Sequence, residues 1–242
     1  MDRDYIVLDL KYLRKDEEEH LHPVVLLGEN DVVLVDCGYP GSLEQLEAQL
    51  NHYNINPQSI TKLLLTHQDY DHMGAAAEIK EKYPAIKIVA SREEEPYISG
   101  KLKNLRLQQV EELQAQLPEE EKEWGRQFYE QLRKVRPVEV DEIVSPGDEF
   151  EWGNGCRIID TPGHTPGHIS IHGVCSSYMI TGDAAVVEQN MLTLANPEYC
   201  LNIDKALDSL EKIFRWRCNE YICYHGGILC RLGGYSAMDS GW

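Results

Sequence analysis

Four apolar, strand-like runs in this chain end alike, in a His or an Asp beside Gly or Thr. Leu63-Leu64-Leu65 leads into Thr66-His67-Gln68-Asp69-Tyr70-Asp71-His72-Met73-Gly74. The turn-rich run Asp160-Thr161-Pro162-Gly163-His164-Thr165-Pro166-Gly167-His168 carries two more histidines. Tyr178-Met179-Ile180 runs into Thr181-Gly182-Asp183, and Tyr221-Ile222-Cys223 into Tyr224-His225-Gly226-Gly227. Side chains at the ends of several strands converge on one rim of a sheet, where a rigid scaffold commonly presents binding and catalytic groups.

In the first segment His67, Asp69, Asp71 and His72 fall within six positions. Two carboxylates and two imidazoles this close are costly unless a cation compensates them, because like charges repel and burial strips their water. Metal binding is therefore the first expectation. The bland alternative, a polar loop with incidental histidines, is weakened by the three later segments.

In order and spacing these residues resemble the metallo-β-lactamase-fold hydrolase superfamily. Its pattern is His-x-His-x-Asp-His, then a Gly-His, then an Asp after a Gly, then a final His near Gly. The chain gives His67-x-Asp69-x-Asp71-His72, then His164, Asp183 and His225. Its Thr-Pro-Gly-His-Thr-Pro-Gly-His run is most similar to glyoxalase II-type thioesterases and acyl-homoserine-lactone lactonases. The resemblance implies an α/β fold, an αββα four-layer sandwich of two mixed β-sheets flanked by helices. It also implies a binuclear site. The first ion would take His67, Asp69 and His164, the second Asp71, His72 and His225, and Asp183 would bridge them.

One position departs from the pattern: Asp69 stands where the family carries its second His. A carboxylate oxygen there makes Mn or Fe more competitive with Zn, which keeps its lead. Flavodiiron proteins resemble this variant, so a diiron oxidoreductase stays open as an alternative, although no flavodoxin-type second domain is visible. A mononuclear site in which position 69 no longer ligates is a further alternative.

A binuclear site of this kind makes a metal-bound hydroxide at neutral pH and polarises a carbonyl oxygen. The expected function is hydrolysis of a carboxylic ester, lactone or thioester bond in a small molecule. Asp71 and Asp183 are expected to orient the water as well as to ligate. A non-catalytic metal-binding protein is the other alternative. Among neighbouring residues, His168 is expected to position a ligand, Asp36 to hydrogen-bond near the metal loop without ligating, and Tyr224 to pack. His20, His22, His52 and His172 have no ligand-like context. The short stretch after His225 is not expected to hold the helical glutathione-binding domain of glyoxalase II, which makes glutathione thioesters doubtful.

The chain has 242 residues, 42% of them apolar, which fits one domain spanning 1–242 with a substantial core. Its net charge of -18 argues against nucleic acid or an anionic membrane as a partner. There is neither an apolar run long enough to span a membrane nor a signal-peptide pattern. The seven Cys are odd in number and scattered. They read as reduced thiols, and the expected location is cytoplasmic.

Strands are expected over Tyr5 to Leu13, Val24 to Leu27, Val32 to Val35, Ile60 to Leu65 and Ile86 to Ala90, and again between Val138 and Thr181 and at Tyr221 to Tyr224. Helices are expected over Ser42 to Tyr53, with Ser42 as N-cap, over Met73 to Tyr83, and over Asp204 to Trp216 with Ala206, Leu207, Leu210 and Phe214 on one side. Residues 91–137 interrupt this order. Leu102, Leu105, Leu113 and Leu117, then Trp124, Phe128, Leu132 and Val135, predict two inserted amphipathic helices. These could pack on the sandwich, cover the site or form a homodimer contact. The loop Met191 to Asn202 is a second candidate wall of the pocket.

Overall fold

Period-two alternation sorts each strand's side chains onto two faces, and in the central strands of this chain both faces are buried. The computed structural model describes residues 4–14, 17–114, 118–119 and 122–231. The chain opens with β1 (Tyr5–Val7), the hairpin β2 (Leu10–Arg14) and β3 (Glu17–Leu21), and a second hairpin, β4 (Val24–Leu27) and β5 (Val32–Val35). Then come α1 (Leu43–His52), β6 (Lys62–Leu64), α2 (Ala76–Lys82) and β7 (Lys87–Ser91). Helices α3 (Glu95–Ile98), α4 (Leu105–Gln114) and α5 (Lys122–Leu132) separate β7 from β8 (Glu142–Val144). The second half holds β9 (Glu149–Phe150), β10 (Cys156–Asp160), β11 (Ile169–Gly173), β12 (Tyr178–Gly182), β13 (Val186–Glu188), β14 (Met191–Thr193), α6 (Ile203–Trp216), β15 (Glu220–Cys223) and β16 (Gly227–Cys230).

Two six-stranded mixed sheets result, in the orders β1-β4-β5-β6-β7-β8 and β16-β15-β12-β11-β10-β9. Strands β5 to β8 pair in parallel, as do β12 and β15; the other pairs in these sheets are antiparallel. The facing surfaces interlock. Val24, Leu26, Val33, Val35, Leu64 and Val89 of the first sheet share one core with Ile158, Ile169, Ile171, Tyr178, Ile180 and Ile222 of the second. The alternate residues of the first sheet, Val25, Leu34, Leu63 and Ile88, pack outward with Leu46 and Leu50 of α1 and Ile79 of α2. Met179, Tyr221 and Cys223 of the second sheet pack outward with Ile213 of α6. The layers are thus helix, sheet, sheet, helix, as the resemblance implies. Among the described residues no helix is long and apolar enough to cross a membrane.

Several local expectations are corrected. The first strand is split in two, because Leu8 and Asp9 leave the sheet before β2 turns into its own hairpin. Ser42 precedes α1 but makes no cap hydrogen bond, because its Oγ lies 2.5 Å from the Tyr12 hydroxyl. Among its described residues the insertion holds three helices, not two. Leu102, which precedes α4, and Leu113, in its last turn, are exposed, while Arg106 and Val110 are the buried residues of α4. On α6 it is Ala206, Ser209 and Ile213 that are buried, while Leu207 faces out. A strand beyond those expected, β16, begins at Gly227 and forms the edge of the second sheet. Leu117 and the side chain of Trp124 lie outside the described residues.

Candidate metal centre

The rim to which β5, β6, β10, β12 and β15 deliver their C-terminal ends gathers every expected ligand. His67, Asp69, Asp71 and His72 occupy the loop after β6, His164 the loop after β10, Asp183 the residue after β12, and His225 the stretch just before β16. Two glycines make the close approach geometrically feasible. Gly182 has φ +53, and a Cβ there would stand 2.6 Å from His168 Nε2. Gly163 has φ +133, and a Cβ there would run into the Ala206 backbone nitrogen. Left-handed backbone and tight contact both require glycine.

Asp183 divides the site. Its Oδ2 lies 3.4 Å from His164 Nε2, and His164 Nε2 lies 3.0 Å from Asp69 Oδ2, which is 3.7 Å from His67 Nε2. Its Oδ1 lies 3.2 Å from His72 Nε2 and 3.5 Å from His225 Nε2, and Asp71 Oδ2 is 3.3 Å from His225 Nε2. Tetrahedral coordination with bonds of about 2.0–2.1 Å places neighbouring ligand atoms about 3.3 Å apart. Both clusters therefore have the spacing that an ion requires. The unsatisfied atoms agree: His67 Nε2, Asp69 Oδ1, His72 Nε2 and Asp183 Oδ1 are buried with no hydrogen-bond partner. Nitrogen and oxygen donors of this kind suit a divalent ion.

Electrostatics point the same way. Burial works against the charge on His72, yet the carboxylates of Asp183, Asp36 and Asp71 hold its ring well above the usual imidazole range. Burial opposes His164 too, but Asp183 and Asp69 push it up to about 9. Against its own burial, Asp183 is held well below the carboxylate range by His225, His72 and His164. Protons on these rings stand in for the charge that an ion would bring.

The surrounding residues fix the rings. Asp36 Oδ2 sits 2.9 Å from His72 Nδ1, and the same carboxylate accepts from the Thr66 amide at 2.9 Å and its hydroxyl at 2.8 Å. His168 is not among the groups clustered for an ion. Its Nε2 accepts from the Asp183 amide at 2.9 Å, so its other nitrogen carries the proton toward Thr161 Oγ1, also 2.9 Å away. Burial, with His67 and His164 nearby, pushes it well below its ordinary range. Tyr224 donates to the Asp71 carbonyl at 2.6 Å and accepts from the Gly38 amide at 3.0 Å, which makes it a brace. His20 and His22 meet Asp9 in a half-buried cluster beside the site, a grouping that the sequence did not reveal. There Asp9 and Glu18 lie 2.6 and 3.0 Å from the two nitrogens of His20.

Two buried residues of the insertion were missed from the sequence. Glu94, fully buried, accepts from the Gln68 amide at 3.0 Å and the Gly167 amide at 2.8 Å, tying the loop of His67 to the loop of His164. Arg106 donates from Nη2 to Asp69 Oδ2 at 2.7 Å. Although burial raises the pKa of a carboxyl, this guanidinium and His164 hold Asp69 well below the usual range. The available clue was Asp69 itself, an extra buried charge that demands a cation.

The site opens into a cleft of about 530 Å³ whose walls include Tyr39, Tyr70, Phe128 and Tyr199. Arg106 and Phe128 bring α4 and α5 to it; Asn196 and Tyr199 bring the loop after β14.

The sequence profile of the metallo-beta-lactamase superfamily matches residues 20–225. "Probable metallo-hydrolase YflN" of Bacillus subtilis is 31% identical over 163 residues, which is 66% of this chain and 58% of that protein. "Hydroxyacylglutathione hydrolase GloC" of Haemophilus influenzae is 26% identical over 64% of this chain and 61% of its own length. The chain thus spans less than two thirds of the length of these relatives. A metallo-beta-lactamase family protein of Thermus thermophilus superposes with a TM-score of 0.72 at 20% identity, over 94% of this chain and 75% of that one. With that profile matched from His20 to His225, and the same fold in that solved structure, this chain belongs to the metallo-beta-lactamase superfamily.

Proposed function

We propose that the chain is a binuclear metal-dependent hydrolase that opens a carboxylic ester, lactone or thioester in a small molecule. The observation that carries this reading is the division of Asp183, with one oxygen facing His164 and the other facing His72 and His225. His67, Asp69 and His164 would hold one ion, and Asp71, His72 and His225 the other, with zinc favoured. When bound, the pair would activate water near neutral pH and polarise a carbonyl oxygen. Asp71 and Asp183, whose oxygens flank His225 Nε2, would orient that water as well as ligate. His168 keeps the Asp183 backbone in place, and Asp36 keeps Nε2 of His72 turned inward. The relative named for hydrolysing hydroxyacylglutathione supports an acyl substrate.

Lining charge narrows the substrate. Among the described residues the basic side chains that line the cleft outside the ligand set are Arg106 and His20, and both face carboxylates: Asp69 for one, Asp9 and Glu18 for the other. Glu19 and Glu188 also line it. Outside the ligand set the described lining thus offers a substrate anion no basic side chain that is not already facing a carboxylate, and uncharged lactones and esters are the substrates proposed. The helices α4 and α5 act as one wall of this pocket. The test is Asp183→Ala assayed on a panel of uncharged lactones and esters beside carboxylate-bearing thioesters. Turnover of the uncharged group by the native chain, abolished in the variant with the circular dichroism spectrum intact, is the expected result. Hydrolysis that survives the substitution removes the bridging role.

A further inference from the structure

Arg106 reaches the metal centre from α4, and nothing in its neighbourhood is casual. The side chain is 2% exposed. Its Nε and Nη2 both point at Asp69 Oδ2, at 3.3 and 2.7 Å, and Nη2 stands 3.4 Å from His164 Nε2. Nη1 donates to Gln109 Oε1 at 2.5 Å, and the guanidinium lies 5.3 Å from the centre of the Tyr199 ring. The start of α4 is bound to the metal loop as well. Gln68 Oε1 accepts from the Leu105 amide at 2.8 Å, and Asn104 Nδ2 donates to the Gln68 carbonyl at 2.9 Å. The loop that carries Asp69 and the helix that carries Arg106 are therefore built as one unit.

A guanidinium in this position could be a receptor for a substrate anion, a plain structural ion pair, or a part of the metal centre. The first does not suit it, because its donors already face Asp69 and Gln109 and its face covers Tyr199. The second leaves unexplained why the pair sits on an atom that also faces two ligand histidines. Charge decides. Asp69, Asp71 and Asp183 bring three negative charges to the ligand set, and Arg106 removes one. What remains equals the charge of a site in which position 69 is a neutral imidazole.

We propose that Arg106 is the charge-setting partner of Asp69, and that the two together replace one neutral imidazole in the first ion's ligand set. This rests on the binuclear reading above. The pair behaves as a unit: either half without the other is wrong for the site. Asp69 alone adds a buried negative charge. Arg106 alone places an uncompensated buried cation beside His164, where it repels the ion. Restoring the superfamily's usual His at position 69 should therefore damage the site as long as Arg106 remains.

The test is a reciprocal exchange, read by calorimetric titration of chelator-treated protein with zinc alone, with circular dichroism as the fold control. The native chain and the double variant Asp69→His/Arg106→Met bind two equivalents. Asp69→His alone binds its weaker equivalent about tenfold or more less tightly than the native chain. A purely structural pair would show its loss and rescue in stability and leave the zinc affinity of the folded single variant unchanged. Single-variant binding as tight as native, or a double variant no better than the single one, overturns the assignment. A native chain that binds no zinc removes the hydrolase reading and this assignment with it, which sets that failure apart. Should Asp69→His not fold, Arg106→Met decides. Its chelated form melts below the native one, and zinc raises its melting temperature by more than it raises the native value. An equal or smaller rise overturns the proposal.

Discussion

His72 and Asp36 are joined across 2.9 Å, from Nδ1 to a carboxylate oxygen, in a place where both side chains are buried. The bond turns Nε2 toward Asp183, 3.2 Å away. Outer partners of this kind orient a ligand ring and raise its basicity, and losing one typically costs about 10- to 100-fold in metal affinity. Asp36→Ala should weaken zinc binding by that factor, as read by competition with a chromophoric chelator. Unchanged affinity would show that the ring is held in place by packing alone.

Gly182→Ala should be severely destabilising. A methyl group there meets the His168 ring at 2.6 Å, and the backbone has φ +53. Strain and overpacking together cost about 2 kcal/mol or more. Chemical denaturation measures this directly. A midpoint equal to the native one would mean that the β12 end relaxes freely, and Asp183 would not be held as described.

Glu94→Ala should loosen two ligand loops together. The change strips partners from the buried amides of Gln68 and Gly167, at about 1–3 kcal/mol for each group left unsatisfied. Both stability and metal affinity should fall. A loss of stability with metal affinity intact would confine Glu94 to the scaffold.

The chelated protein should lose stability as pH rises from 6.5 to 9. His164 is shifted from its usual 6.5 to about 9, and His72 is raised well above that usual value. Their folded forms bind protons more tightly than the unfolded chain does. The stability they contribute is complete below about pH 6.5 and drains away as pH climbs through about 9. For His164 alone the effect is on the order of 3 kcal/mol. His67 and His168, shifted down by burial, act below this window. Zinc-loaded protein should lack the decline, because an ion replaces those protons. Melting curves at pH 6.5 and 9, with and without zinc, check it; parallel behaviour of the two forms would contradict it.

The sequence disclosed the strand ends and ligands because a buried strand leaves an apolar run, and a ligand loop leaves His and Asp at short spacing. The hairpin Val24 to Val35 was legible for the same reason. What escaped depends on partners distant in the chain. Ser42 has the right chemistry for a helix cap, but Tyr12 takes its hydroxyl. Leu102 and Leu113 follow helical spacing yet are exposed, while Arg106 is buried against Asp69, a partner 37 positions away in the chain. Glu94 lies in an acidic run that looks solvated, and only the fold brings Gln68 and Gly167 to it.

The most direct single measurement is elemental analysis of the native chain, purified without chelator or affinity metal, paired with hydrolysis assays before and after chelation. Two equivalents of zinc per chain, with lactone or ester hydrolysis lost on chelation and restored by zinc, is the predicted result. Less than half an equivalent of any divalent metal, or hydrolysis that persists after complete chelation, would contradict a catalytic metal centre in this chain.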